Sequence, residues 1–192
     1  MARDYQARKL IAERASKYDD PKMTEILTRT FDIMVNTQEP DGCMSNSVVM
    51  YAILRSFGYE PEFCYGLCVS PKGYEFYHAW LTLNGEVLDL SIYGNSHFSP
   101  LWYDEPLNPV VFETTDNTAV RYGNRVFDQD WPASMISQAV KMSMEQYIDR
   151  CPNNGIWKLI FRILNVTPNK NTRDELKRFI SKEPFNSHDN TF

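Results

Sequence analysis

This 192-residue chain reads as an α+β protein. Three observations lead there. Apolar residues recur at helical spacing from the N-terminal region to Gly58, and the period then drops to two across residues 62–93. Within that second stretch stands Asn84-Gly85, the strongest short-range signal for a tight β-hairpin. Helical spacing returns near residue 133, which predicts further helices after the sheet.

The elements follow in order. Residues 4–18 predict a helix with Leu10 and Ile11 inward and many charges outward. Pro21 suits the first turn of a second helix, where its fixed φ costs nothing and its missing N–H is not needed. There Ile26, Leu27, Phe31, Met34 and Val35 form the inner stripe. That helix must end before Glu39-Pro40, because the residue ahead of proline avoids the helical region. Asp41-Gly42 is a turn. A third helix is expected over 43–57, with Val48, Val49, Ala52, Ile53, Leu54 and Phe57 making a broad apolar surface and Gly58 closing it. Such an apolar helix belongs at the centre of a fold.

Residues 62–69, 74–83 and 86–93 predict three strands, with a turn at 70–73 and a type I′ turn at 84–85. Residues 94–109, rich in Pro, Asn and Ser, predict a long loop. Two more strands are expected over 109–114 and 118–122. A helix is expected over 133–150, with Met135, Ile136, Ala139, Val140, Met142 and Tyr147 mostly inward. Shorter helices follow over 155–164 and 171–181. This divides the chain into a core over 1–130, a helical extension over 131–182 packed on it, and a disordered tail over 183–192.

Composition narrows the function classes. The chain is 43% hydrophobic and 23% charged, ordinary for a globular protein, and its net charge of -5 argues against nucleic acid as a partner. No apolar run approaches the roughly 18 residues that span a bilayer, so no membrane role is expected. The start, Met1-Ala-Arg-Asp-Tyr-Gln, is polar and has no signal-type apolar segment, so a cytoplasmic location is expected. The four cysteines (43, 64, 68, 151) fit no zinc pattern and are expected as free thiols. With three histidines and no ligand-spaced pair, neither a metal nor a cofactor is expected. His97 and His188 read as surface histidines.

The chemistry centres on Cys43, His78 and Asp89. Cys43 opens the third helix, where the positive end of the helix dipole and unpaired N–H groups favour a thiolate and can hold an oxyanion. Hairpin geometry tests the other two. With a two-residue turn, Leu83 faces Glu86, Trp80 faces Asp89 and His78 faces Ser91, so 78, 80, 89 and 91 share one face. His78 and Asp89 are then diagonal neighbours about 7–8 Å apart at the backbone, within side-chain reach. A one-residue slip would send them to opposite faces. A thiol, an imidazole and an orienting carboxylate are the set that covalent acyl transfer needs. Gln38, five residues upstream of Cys43, is a candidate second oxyanion donor. Asn46 and Trp80 are candidates to line the substrate cleft, although Trp80 is better suited to fill the core.

These residues resemble the transglutaminase-like cysteine enzymes. The resemblance runs from Gly42-Cys43 through Leu54-Arg55-Ser56-Phe57-Gly58 to Tyr65-Gly66-Leu67, and on through His78-Ala79-Trp80 and Glu86-Val87-Leu88-Asp89. It implies a papain-like fold, with a central helix bearing the cysteine packed on an antiparallel sheet bearing His and Asp. It also implies a thiolate–imidazolium mechanism in which Cys43 attacks an amide carbonyl, His78 protonates the leaving amine and Asp89 fixes the tautomer. The short layout is loosely similar to the leader-peptide proteases of lasso-peptide biosynthesis. The expected activity is that of a peptidase or amidase on a peptide or protein substrate. A transglutaminase-type amine acyltransferase and a catalytically inactive peptide-binding module of the same fold remain as alternatives.

Overall fold

The computed structural model describes residues 2–37, 42–98, 106–123 and 142–180. Helix α1 (Ala2–Ala15) buries Ala7, Ile11 and Ala15, a stripe with a four-residue repeat, and leaves Leu10 only partly covered. It ends in a 3₁₀ turn over Ser16–Tyr18, closed by Asp19 at φ 50. Helix α2 (Pro21–Thr37) starts as proline at its first position predicts, and the Asp20 carboxylate accepts the Lys22 backbone N–H at 2.9 Å. Helix α3 (Cys43–Ser56) buries nine residues, among them Val48, Val49, Ala52, Ile53 and Leu54. Phe57, expected on that apolar surface, instead caps the helix at 38% exposure, because the chain is already turning toward Gly58 at φ 85.

Strands β1 (Glu62–Val69), β2 (Glu75–Leu83) and β3 (Glu86–Asp89) form an antiparallel meander. The hairpin register is Leu83 opposite Glu86, Thr82 opposite Val87 and Leu81 opposite Leu88. Asn84 (φ 54) and Gly85 (φ 79) supply the two positive φ angles that a type I′ turn requires.

The strand expected over 86–93 stops at Asp89, and part of the loop expected over 94–109 is helical: α4 spans Ser91–Phe98. The cause is one carboxylate. Asp89 Oδ1 accepts the Ile92 backbone N–H at 3.0 Å and the Ser91 hydroxyl at 2.7 Å, so it satisfies a free donor of the helix's first turn and ends the ladder.

Strand β4 (Val110–Glu113) pairs with β3, and β5 (Arg121–Tyr122) pairs with β1. The sheet order is β4-β3-β2-β1-β5. A bulge at Phe112 (φ 52) interrupts the β3–β4 ladder and adds twist. The far edge curls inward as well: a Cβ on Gly66 would meet the Gly123 carbonyl oxygen at 2.3 Å, and the Gly123 N–H donates to Leu67 O at 3.0 Å.

The C-terminal helices are α5 (Met144–Arg150), α6 (Gly155–Leu164) and α7 (Lys170–Lys177). The long helix expected over 133–150 does not run through residue 143. Ser143 is extended (φ -71, ψ 159) and forms a reciprocal capping box with Gln146, so α5 begins afresh at Met144. The remainder of that expected helix, the boundary near residue 130 and the tail over 183–192 lie outside the described residues.

Two apolar clusters cover the two faces of the sheet. The larger joins α1, α2, α3, α5 and α6 to Ala79, Leu81, Leu83 and Leu88. Within it, α6 buries Ile156, Trp157, Ile160, Phe161 and Ile163 against α3 and α2, so this helix completes the main core. The smaller cluster holds Cys64, Cys68, Phe76, Trp80, Val87, Ile92, Val110, Val120 and Tyr122. No helix among the described residues is long and apolar enough to cross a membrane.

Candidate active site

Cys43 is the first residue of α3, preceded by Gly42 at the N-cap. Gly42 has no side chain to bond the first-turn N–H groups, and no acidic residue stands in that turn. The positive end of the helix is therefore not neutralised by its own sequence. Two residues further on, the Ser45 hydroxyl meets the Tyr147 hydroxyl of α5 at 3.2 Å, so α5 lies against the start of α3.

His78 stands in β2 and Asp89 at the end of β3, on the sheet face that carries the smaller cluster. Alternation put them on one face, and the side chains close the diagonal: His78 Nε2 and Asp89 Oδ2 are 2.7 Å apart. Both are essentially excluded from solvent, at 0% and 2% exposure, and Cys43 is 5% exposed. Asp89 is fully satisfied. Its Oδ2 also accepts the Tyr122 hydroxyl at 2.8 Å, while Oδ1 takes Ser91 and the Ile92 N–H.

The electrostatics follow from that bonding. Burial works against a charged imidazole, but the Asp89 carboxylate, as charge and as acceptor, overrides it. His78 is held well above its ordinary pKa, with Cys43 acting in the same sense. Burial likewise pushes Asp89 up, and His78, Ser91 and Tyr122 more than offset it, so its carboxyl lies below the usual range. Both shifts favour the charged form of the pair. His78 Nδ1, the ring nitrogen that Asp89 does not use, is buried with no partner at full hydrogen-bonding geometry. Cys43 interacts with the ring.

The remaining expected residues are scattered. Asn46 lines a small cavity with Thr30, Ser47, Met50, Leu81, Leu88, Leu90 and Ser91, with room for about one water. Trp80 is 3% exposed and packs on the Tyr122 ring at 5.0 Å, inside the smaller cluster. Gln38 and His188 lie outside the described residues. His97 is half-buried, stacked on Tyr93 at 3.9 Å, with its Nδ1 2.8 Å from Tyr93 O. It is tied to α1 through Arg3, whose guanidinium lies 3.2 Å from His97 Nε2. Burial pushes the Cys64 thiol up to about 12 and Cys68 well above its ordinary value, so neither is a nucleophile. Among the described residues no group of three or more His, Cys, Asp or Glu is placed to hold a metal ion.

Sequence reasoning missed Tyr122, the bonding role of Ser91, and Tyr147. The hairpin register did place Ser91 on the shared face. No local signal brings Tyr122 to Asp89, because that contact depends on the curl of the sheet.

Comparison with known proteins gives one match. The profile of the transglutaminase-like superfamily matches residues 2–103, a span that holds Cys43, His78 and Asp89 and excludes Tyr122 and the C-terminal helices. No curated protein and no solved structure matches the chain.

Proposed function

The chain belongs to the transglutaminase-like superfamily, and from that premise we propose a cysteine-nucleophile hydrolase that cleaves an amide bond of a peptide or protein. One observation carries the reading: a solvent-excluded His78–Asp89 pair, 2.7 Å apart, interacts with a cysteine at an uncapped helix N-terminus.

In this reading the Cys43 thiolate attacks the carbonyl carbon, and the first-turn N–H groups of α3 receive the oxyanion. As the C–N bond breaks, the His78 imidazolium gives its proton to the departing amine, leaving a thioester on Cys43. His78 then takes a proton from water, the resulting hydroxide attacks, and the C–S bond breaks to release the carboxylic acid. Asp89 keeps the ring oriented and stabilises its charge throughout.

One observation favours transfer to an amine as a second reading. The three groups are 5%, 0% and 2% exposed, and a site closed to water preserves a thioester until another acceptor arrives. Offering a primary amine during turnover separates the two, because incorporation at the expense of hydrolysis means transfer.

The first test is the rate of thiol alkylation against pH, read by peptide mapping in wild type and in His78→Ala. Fast reaction of Cys43 near pH 6, lost in His78→Ala, supports the thiolate–imidazolium pair. Reaction no faster than that of the half-buried Cys151 removes the enzyme reading and leaves a binding module of the same fold.

A further inference from the structure

We propose that Tyr122 is a positioning residue for the candidate active site: its hydroxyl, donated to Asp89 Oδ2 at 2.8 Å, fixes the carboxylate on His78 and so aims His78 Nδ1 at Cys43. The inference rests on the hydrolase reading above and goes beyond it, because Tyr122 lies outside residues 2–103, the region matched by the family.

A carboxylate on a short side chain can rotate about its terminal bond, and rotation would break its alignment with the imidazole. Oδ1 is pinned by Ser91 at 2.7 Å and the Ile92 N–H at 3.0 Å, both on the chain just after Asp89. Those two donors move with Asp89 itself. Besides His78 itself, Tyr122 is the donor that comes from another strand, and it shares Oδ2 with His78. It ties the oxygen that matters to the opposite edge of the sheet.

The placement of Tyr122 is itself built. In a flat sheet β5 and β3 would lie three strand spacings apart, about 14 Å. The curl at Gly66 and Gly123 closes that gap, since neither position has room for a Cβ. The Tyr122 ring packs on Trp80 at 5.0 Å, which fixes its rotamer and leaves the hydroxyl as the only polar part turned to Asp89. Among the described residues, the titratable groups that interact with the pair include Cys43 on α3, Cys68 on β1 and Tyr122 on β5. Cys68 is a neutral thiol at ordinary pH, so within this group only the Tyr122 hydroxyl donates to the carboxylate besides His78.

The experiment is NMR of the full chain with labelled histidine, with Cys43 alkylation measured on the same samples. In wild type the His78 Nε2–H proton should be in slow exchange with water and show a cross-peak to the Tyr122 hydroxyl proton, since both point at one oxygen. A missing cross-peak in a slowly exchanging wild-type pair overturns the proposal without any variant. In Tyr122→Phe the thermal midpoint should hold, while the Nε2–H exchanges faster and the His78 titration midpoint falls toward its ordinary value. Cys43 alkylation at pH 7 should slow about tenfold. A His78 midpoint that stays or rises, with alkylation unchanged, overturns the proposal. The two readings fail separately. If wild-type Cys43 is slow, the hydrolase reading falls while the cross-peak still judges Tyr122. If wild-type Cys43 is fast and Tyr122→Phe equals it, only the role of Tyr122 falls.

Discussion

Asp89 has two roles at once. Its Oδ2 holds His78 and Tyr122, and its Oδ1 starts helix α4. Asp89→Asn keeps the shape and removes the charge, so the imidazole loses its fixed tautomer and its raised pKa. The expected result is a folded protein whose turnover falls by about three to four orders of magnitude, read as kcat/KM on any amide substrate found. The pair also makes stability depend on pH. The raised pKa of His78 contributes in full below its ordinary value of 6.5 and is lost as pH rises through the folded value. The lowered pKa of Asp89 contributes above its ordinary 3.8 and is lost as pH falls through the folded value. The thermal-midpoint difference between wild type and Asp89→Asn should thus be greatest between roughly pH 4 and 6.5, and shrink on both sides. A difference independent of pH would mean that the two groups are not charged together. The residues of this pair were legible because a two-residue hairpin leaves only one register. Tyr122 was not, since its partner lies 33 positions away, across a curved sheet.

At the level of elements, two glycines do different work. Gly85 has φ 79 and no atom within 4 Å of its missing Cβ, so its need is torsional. Gly66 has ordinary φ and a carbonyl oxygen 2.3 Å from its missing Cβ, so its need is spatial. Gly85→Val should therefore cost about 1–3 kcal/mol, whereas Gly85→Asn, which tolerates a left-handed φ, should be nearly neutral. At Gly66 both Ala and Asn should destabilise, by about 1–3 kcal/mol, because the obstacle is backbone. Urea unfolding of the four variants checks the contrast; a tolerated Gly66→Ala would show that β5 gives way easily. The elements that sequence located well have strong local causes: Pro21 and Asp20 at the start of α2, Asn84-Gly85 between β2 and β3, and the amphipathic run of α6. The misplaced end of β3 has a local cause too, but one that hydrophobic periodicity does not register. Residues 90–93 are apolar enough to continue a strand, and only the Asp89 cap turns them into a helix.

At the scale of the whole molecule, the C-terminal helices belong to the main core although the family match ends at residue 103. Trp157 shows it best. It is 1% exposed, its Nε1–H donates to Asp149 at 2.9 Å, and the Arg173 guanidinium lies 4.9 Å over its ring. Lys177 and Arg173 also bond Asp149, which ties α5, α6 and α7 together. Trp157→Ala should cost about 3–5 kcal/mol, a large share of the stability of a single domain, seen as a lower urea midpoint. An unchanged midpoint would make α6 an appendage. The sequence by itself determined the α+β class, the helix that Cys43 opens and the hairpin register, because each follows from interactions among residues close in the chain. Tertiary structure alone decided the curl of the sheet, the arrival of Tyr122 at Asp89 and the fusion of α6 with the core. Those outcomes depend on surfaces that meet only when distant segments pack, and local periodicity carries no record of them.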